Sequence, residues 1–179
     1  MADNTNNSIK DKIQSVQDKY YQENTKKTFF KKAQKKDCAK KVVDEVGLNN
    51  LIEKTIYYQE GTNVIWLNYP VFKTFVTDEI CIQLTNYFIE LLEYGQKYYN
   101  KVTIKMNLDG LTITGLERYK QFIELSMNLI SDKYDNTVDS CILMNAPSFT
   151  GQLISIFSNI IGQSRFHSSN IKLFVISKK

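Results

Sequence analysis

Few residues in this chain break, bridge or catalyse. Two prolines and seven glycines in 179 residues leave few natural seams, and there is no low-complexity linker and no internal repeat. The three cysteines, Cys38, Cys81 and Cys141, are scattered without a Cys-x-x-Cys pair, and His167 is the single histidine. That inventory argues against a zinc site and for a reducing compartment. The longest apolar runs span only a few residues, too short for a bilayer-crossing helix. The first 25 residues are polar and lack the apolar core of a signal peptide. These absences predict a cytoplasmic protein.

Catalytic signatures are missing as well. There is no GxxxxGK[ST] phosphate loop, no GxGxxG after the first strand and no GxSxG elbow. His167 lies in the polar stretch Ser164-Arg165-Phe166-His167-Ser168-Ser169 and is expected to be a solvated loop residue. Asp109 precedes Gly110, a common turn dipeptide, with no second carboxylate or base near it in sequence. The expectation is a protein that is not an enzyme, with no catalytic residue, no cofactor and no metal.

What the chain has instead is uneven charge. Residues 26–41 hold eight lysines and one acid, Asp37. That local +7 exceeds the net charge of +4, so the remainder carries −3. The lysines come as the doublets Lys26-Lys27, Lys31-Lys32, Lys35-Lys36 and Lys40-Lys41, which fall on two adjoining ridges of a helix, with Phe29, Phe30 and Ala33 as a short apolar flank. Like charges at i, i+4 cost a helix some stability. The ridge is either a plain solvated face or a patch in which Lys31, Lys32, Lys35 and Lys36 meet an anionic membrane surface, worth roughly 1 kcal/mol per lysine. The second reading would make the protein peripheral on membranes. Nucleic acid is not expected, because no recognition motif accompanies the lysines and the pI of about 8.8 falls short of a strongly basic footprint.

Along the chain, a flexible tail over 1–8 precedes helices expected at 8–22, 28–46 and 48–58. Gly47 and Gly61 punctuate the last two. After Gly61 the pattern alternates. Short β-branched runs at 64–69, 102–107, 141–144 and 171–176 read as strands. Between them lie helical stripes carrying Ile80, Leu84, Phe88, Leu91 and Leu92, then Leu116, Tyr119, Ile123, Met127 and Ile130, then Phe149, Leu153, Ile156, Phe157, Ile160 and Ile161. Thr77 is placed to cap the first stripe, with Asp78 and Glu79 at its positive end, and either Gly95 or Asn100 ends it. Thr114 and Glu117 suggest a capping box for the second. The order βαβαβαβ predicts an α/β fold: a mainly parallel sheet of about four strands with covering helices on both faces, over residues 59–179, preceded by a basic helical segment over 1–58.

Three segments of the second part carry a resemblance. Met106-Asn107-Leu108-Asp109-Gly110-Leu111 looks like the strand-ending "vDlxGl" of CRAL-TRIO lipid-binding domains. Ile142-Leu143-Met144-Asn145-Ala146-Pro147 resembles their "iyiiNaP" strand, and Asn170-Ile171-Lys172-Leu173-Phe174-Val175 their "Ki.fv" strand. Gly61-Thr62-Asn63-Val64-Ile65 stands where that family has its first strand. The resemblance covers about residues 60–176. It implies a hydrophobic lipid ligand held in a pocket floored by the sheet and closed by a helical gate over 148–162, with Phe149, Leu153, Phe157, Ile160 and Ile161 lining it. Lys172 matches the lysine that phosphoinositide-transfer members use for the head group, whereas Asn136 stands where they carry glutamate. Family members continue past the position of Lys179 with a further helix, which implies a smaller or more open pocket here. Divergent members act as adaptors of small GTPases or their regulators, so a protein partner is the alternative expectation.

Overall fold

The computed structural model describes residues 2–24, 31–134, 136–149, 151, 154–155 and 172–177. Two helices lead. In α1 (Ala2–Glu23), Ile9, Ile13 and Val16 recur at helical spacing and are buried; in α2 (Lys31–Val46), Gln34, Cys38, Val42 and Val46 do the same. The two pack together. Lys32, Lys35, Lys36, Lys40 and Lys41 fall on the opposite, exposed side of α2, and Ala33 is exposed with them rather than forming an apolar flank. Gly47, at a φ of 91°, turns the chain from α2 into α3 (Leu48–Thr55).

Here two expectations fail. The helix expected over 48–58 stops at Thr55, and Ile56-Tyr57-Tyr58 continues as strand β1 (Ile56–Tyr58). Two adjacent tyrosines after an isoleucine suit a pleated, half-buried ribbon better than a helix end. β1 hairpins back antiparallel onto β2 (Val64–Asn68) through a turn containing Gly61 at a φ of 69°. The Trp66 indole N–H donates to Gln59 Oε1 at 3.0 Å across the turn. Pro70 likewise does more than end β2. It occupies the first turn of α4 (Tyr69–Phe75), where its missing N–H and fixed φ are an advantage.

Helix α5 (Asp78–Tyr98) buries Leu84, Phe88, Leu92 and Gly95. Thr77 is its N-cap residue with Asp78 and Glu79 in the first turn, but the Thr77 hydroxyl makes no capping bond. Gly95 lies inside the helix, and Asn100, at a φ of 63°, turns the chain just after it. Strand β3 (Val102–Asn107) leads to α6 (Ile113–Lys133). Its cap is Thr112, whose Oγ1 accepts from the Gly115 N–H at 3.1 Å. Thr114 is already helical, so the cap lies two residues earlier than expected, and with Gly115 at the third helical position the capping box expected at Thr114 and Glu117 does not form. Strands β4 (Val138–Ala146) and β5 (Lys172–Ser177) complete the sheet.

The fold is α/β, with five strands in the order β1-β2-β3-β4-β5. All neighbours except β1–β2 are parallel. Because the order never reverses, right-handed crossovers deliver their helices to one face. The contacts agree: α5 meets Tyr58 and Val102 at Gly95, while Leu67 and Met106 face α4, α5 and α6. The other face carries an in-register row across all five strands, Tyr57, Trp66, Lys105, Ile142 and Phe174. The first four are half-buried and Phe174 is exposed, so coverage of both faces is not found for these residues. One core cluster joins Ile9, Ile13 and Val42 to Ile104 and Leu143, so the N-terminal helices share it with the sheet.

Candidate functional site

Where β2 and β3 end, α4, α5 and α6 leave a gap over the helix-covered face. The cavity measures about 80 Å3 and is partly open to solvent. Its floor is Leu67 and Met106, register partners on β2 and β3. Its walls come from α4 (Tyr69, Phe72), α5 (Phe88), the β3–α6 turn (Leu108, Leu111) and α6 (Gly115, Leu116, Tyr119, Phe122, Ile123, Ser126). The α6 residues recur at three- and four-residue spacing, which puts them on one side of that helix.

The aromatic wall is a packed unit. Phe72 meets Tyr119 edge to face at 4.7 Å between ring centroids and Phe122 at 5.3 Å. Such pairs contribute about 0.5–1.5 kcal/mol beyond their buried area. Burial pushes the Tyr69 phenol up to about 12, helped by Tyr119 and opposed by Arg118, so it stays neutral at physiological pH. Burial also raises Tyr119, against a hydrogen bond from Arg118 that lowers it. The cavity is therefore an uncharged, oily recess. An engineered apolar cavity of roughly 150 Å3 holds benzene; one of about 80 Å3 takes the tip of a hydrocarbon chain. It is below the roughly 300–1,000 Å3 of a pocket that swallows a whole small molecule.

Beside it, the carboxyl ends of three neighbouring strands each bring an asparagine: Asn68, Asn107 and Asn145. Asn145 donates through Nδ2 to Asn107 Oδ1 at 2.9 Å, and the Asp109 N–H donates to the same oxygen at 3.1 Å. Asn145 holds a φ of 52°, which asparagine tolerates better than most residues. The two motif segments 106–111 and 142–147 are thus tied together by their asparagines. Lys73 places its ammonium against Gly110 and 5.7 Å from the Tyr69 ring, giving the cavity a cationic neighbour.

The residues picked out from the sequence are elsewhere. Phe149 is half-buried against the core but does not line the cavity. Leu153, Phe157, Ile160 and Ile161 lie outside the described residues. Lys172 is exposed at the start of β5, opposite Ser140 and on the other face of the sheet, so it is not brought to the cavity. On α2, Lys32 and Lys35 are exposed, and Lys36 pairs with Glu79 of α5 at 2.9 Å. That pair raises Lys36 and lowers Glu79, leaving one lysine of the ridge partly neutralised.

Sequence reasoning missed Tyr69, Phe72, Leu108, Leu111 and Ser126. The stripe through Leu116, Tyr119 and Ile123 marked the right side of α6, and Ser126 is the polar interruption on it. The thiols offer no nucleophile among the described residues: burial pushes Cys141 up to about 12 and Cys81 to about 11, and raises Cys38. No described helix is long and apolar enough to cross a membrane. No protein-family model matches this chain, and neither curated proteins nor solved structures include a match.

Proposed function

We propose that the chain is a non-catalytic binding domain for a hydrophobic, lipid-like ligand, whose hydrocarbon end enters between α4, α5 and α6. The observation that carries this reading is the uncharged cavity of about 80 Å3 opening at the carboxyl ends of β2 and β3. Burial of apolar surface at about 25 cal/mol per Å2 supplies the affinity without any catalytic group. Only the end of the ligand fits, so the remainder emerges beside the asparagine cluster and Lys73. The exposed lysines of α2 suit an approach to an anionic surface, weakened by salt.

Native mass spectrometry of the purified protein, with lipid extraction, is expected to give one bound lipid per chain after incubation with anionic vesicles. Reversing Lys32 and Lys35 to glutamate should slow that uptake. Absence of bound lipid both as purified and after vesicle incubation overturns the proposal. A second reading, a protein-interaction adaptor, draws on β5. Its Leu173, Phe174, Val175 and Ile176 are 38–53% exposed, an unusual amount of apolar surface for a sheet edge.

A further inference from the structure

The two edges of the sheet are finished differently. β1 offers three residues, one buried and two half-buried. β5 offers six, and Lys172, Leu173, Phe174, Val175 and Ile176 are all exposed. Val175 is in register with Leu143 and Met106 on the helix-covered face, and Leu173 shares that side. Phe174 and Ile176 point to the other face. At 38–53% exposure these four make one apolar strip over both faces of the edge. Among the described residues only β4 bonds to the β5 backbone, so the outer side of the strand keeps main-chain donors and acceptors without a protein partner. Sheet edges are ordinarily blunted by shortness, proline or an inserted charge. Between Lys172 and Ser177, β5 has none of these.

Charge selects what can add to this edge. Lys172 makes no ion pair among the described residues, and Lys178-Lys179 follow the strand in sequence. A second copy adding antiparallel would lay the lysine-bearing start of one strand beside the lysine-bearing end of the other, and like charges oppose such pairing. A segment with acids at its ends meets the same lysines favourably. We propose that the β5 edge takes up, by strand addition, an extended segment of another protein: about four successive apolar residues bounded on each side by Asp or Glu. Successive rather than alternate apolar positions are needed because β5 is apolar on both faces. The inference specifies the protein-interaction reading and does not use the cavity. A chain that takes up no lipid leaves it standing, and failure of strand addition leaves the lipid reading standing.

The test titrates the full chain into three fluorescein-labelled peptides, followed by anisotropy. The first is Asp-Glu-Val-Ile-Val-Ile-Glu-Asp, the second has lysines in place of the four acids, and the third is the first N-methylated at its core amides. The acidic peptide is expected to bind at least about tenfold tighter than either of the others, and its advantage over the lysine peptide should shrink as salt rises. Phe174→Lys, at a half-exposed position, should weaken the acidic peptide about tenfold with Tm unchanged. Lys172→Glu should narrow the preference for acid over lysine flanks. Equal binding of all three peptides, or of none, overturns the proposal. A wild-type chain that is dimeric by sedimentation velocity, and monomeric as Phe174→Lys, overturns it in favour of a second copy. Binding to phosphatidylcholine–phosphatidylserine vesicles that Phe174→Lys abolishes, with no peptide bound, overturns it in favour of a membrane contact.

Discussion

Two helices close the same face of the sheet in opposite ways, and each does so at a glycine. On α5, Gly95 lets the helix backbone rest directly on Tyr58 and Val102; a methyl group there would collide with the Tyr58 hydroxyl and Val102 Cγ1. The Tyr58 O–H also donates to the Leu91 carbonyl at 2.8 Å, so the contact is locked from both sides. On α6, Gly115 faces the Tyr69 hydroxyl, but that hydroxyl is the far end of a ring bordering a void. The first contact is solid packing and the second is packing with room to give. Stability is thus concentrated under α5, and adaptability between α4 and α6.

The largest effect should come from filling the solid side. Gly95→Ala forces a methyl into a side chain that cannot retreat, and overpacking costs about 1–3 kcal/mol, against about 1 kcal/mol returned by alanine's helix propensity. Thermal and urea denaturation should both show a net loss; an unchanged or raised midpoint would mean that the α5 contact is as yielding as the other. Gly115→Ala should behave differently. The Tyr69 ring tip can swing into the void, so stability should move by less than about 1 kcal/mol. The displaced ring then occupies the cavity, and, on the binding proposed above, affinity for a small apolar probe such as 2-methyl-1-butene should fall at least about tenfold. Undiminished binding in Gly115→Ala would place the ligand site elsewhere.

Alkaline pH should separate the regions more gently. Cys141, in the packed part, is held up to about 12, Cys81 to about 11, and Tyr69, at the cavity, to about 12, in each case chiefly by burial. Unfolded, these groups lose their protons near their ordinary values of 9.0 and 10.0. Above pH 9 the unfolded chain therefore holds fewer protons than the folded one, and stability falls as pH rises towards 12. Urea midpoints should be level from pH 7 to 9 and decline above it. Tyr69→Phe should remove a share of the decline that begins near 10, the rest belonging to Tyr58, Tyr87, Tyr119 and Tyr134, which burial also raises. A midpoint that rises above pH 9 would contradict the assigned burial of all three groups.

The parallel strands were legible because each is a short β-branched run bounded by turn residues. Helices α5 and α6 were legible because Leu84, Phe88 and Leu92, and Leu116 and Tyr119, keep strict spacing. β1 was hidden, since nothing between Thr55 and Ile56 breaks a helix and the pairing that makes Ile56-Tyr57-Tyr58 a strand comes from β2. Pro70 looked like a stop when it was a start, because the same fixed φ serves both uses. The cavity was the least visible. Leu116, Tyr119 and Ile123 would show the same periodicity against a filled interior, and whether neighbours meet or leave a gap is decided by Tyr69 and Phe72, about fifty residues earlier.

The unreversed strand order carries a last consequence. In α/β sheets whose order doubles back, crossovers leave in opposite directions and a crevice opens by itself at the topological switch point. Over its described strands this sheet runs from β1 to β5 in sequence and has no such fork. Access to the cavity therefore lies between helices rather than in a fork of the sheet, and a change in the tilt of α4 or α6 would widen or narrow that opening.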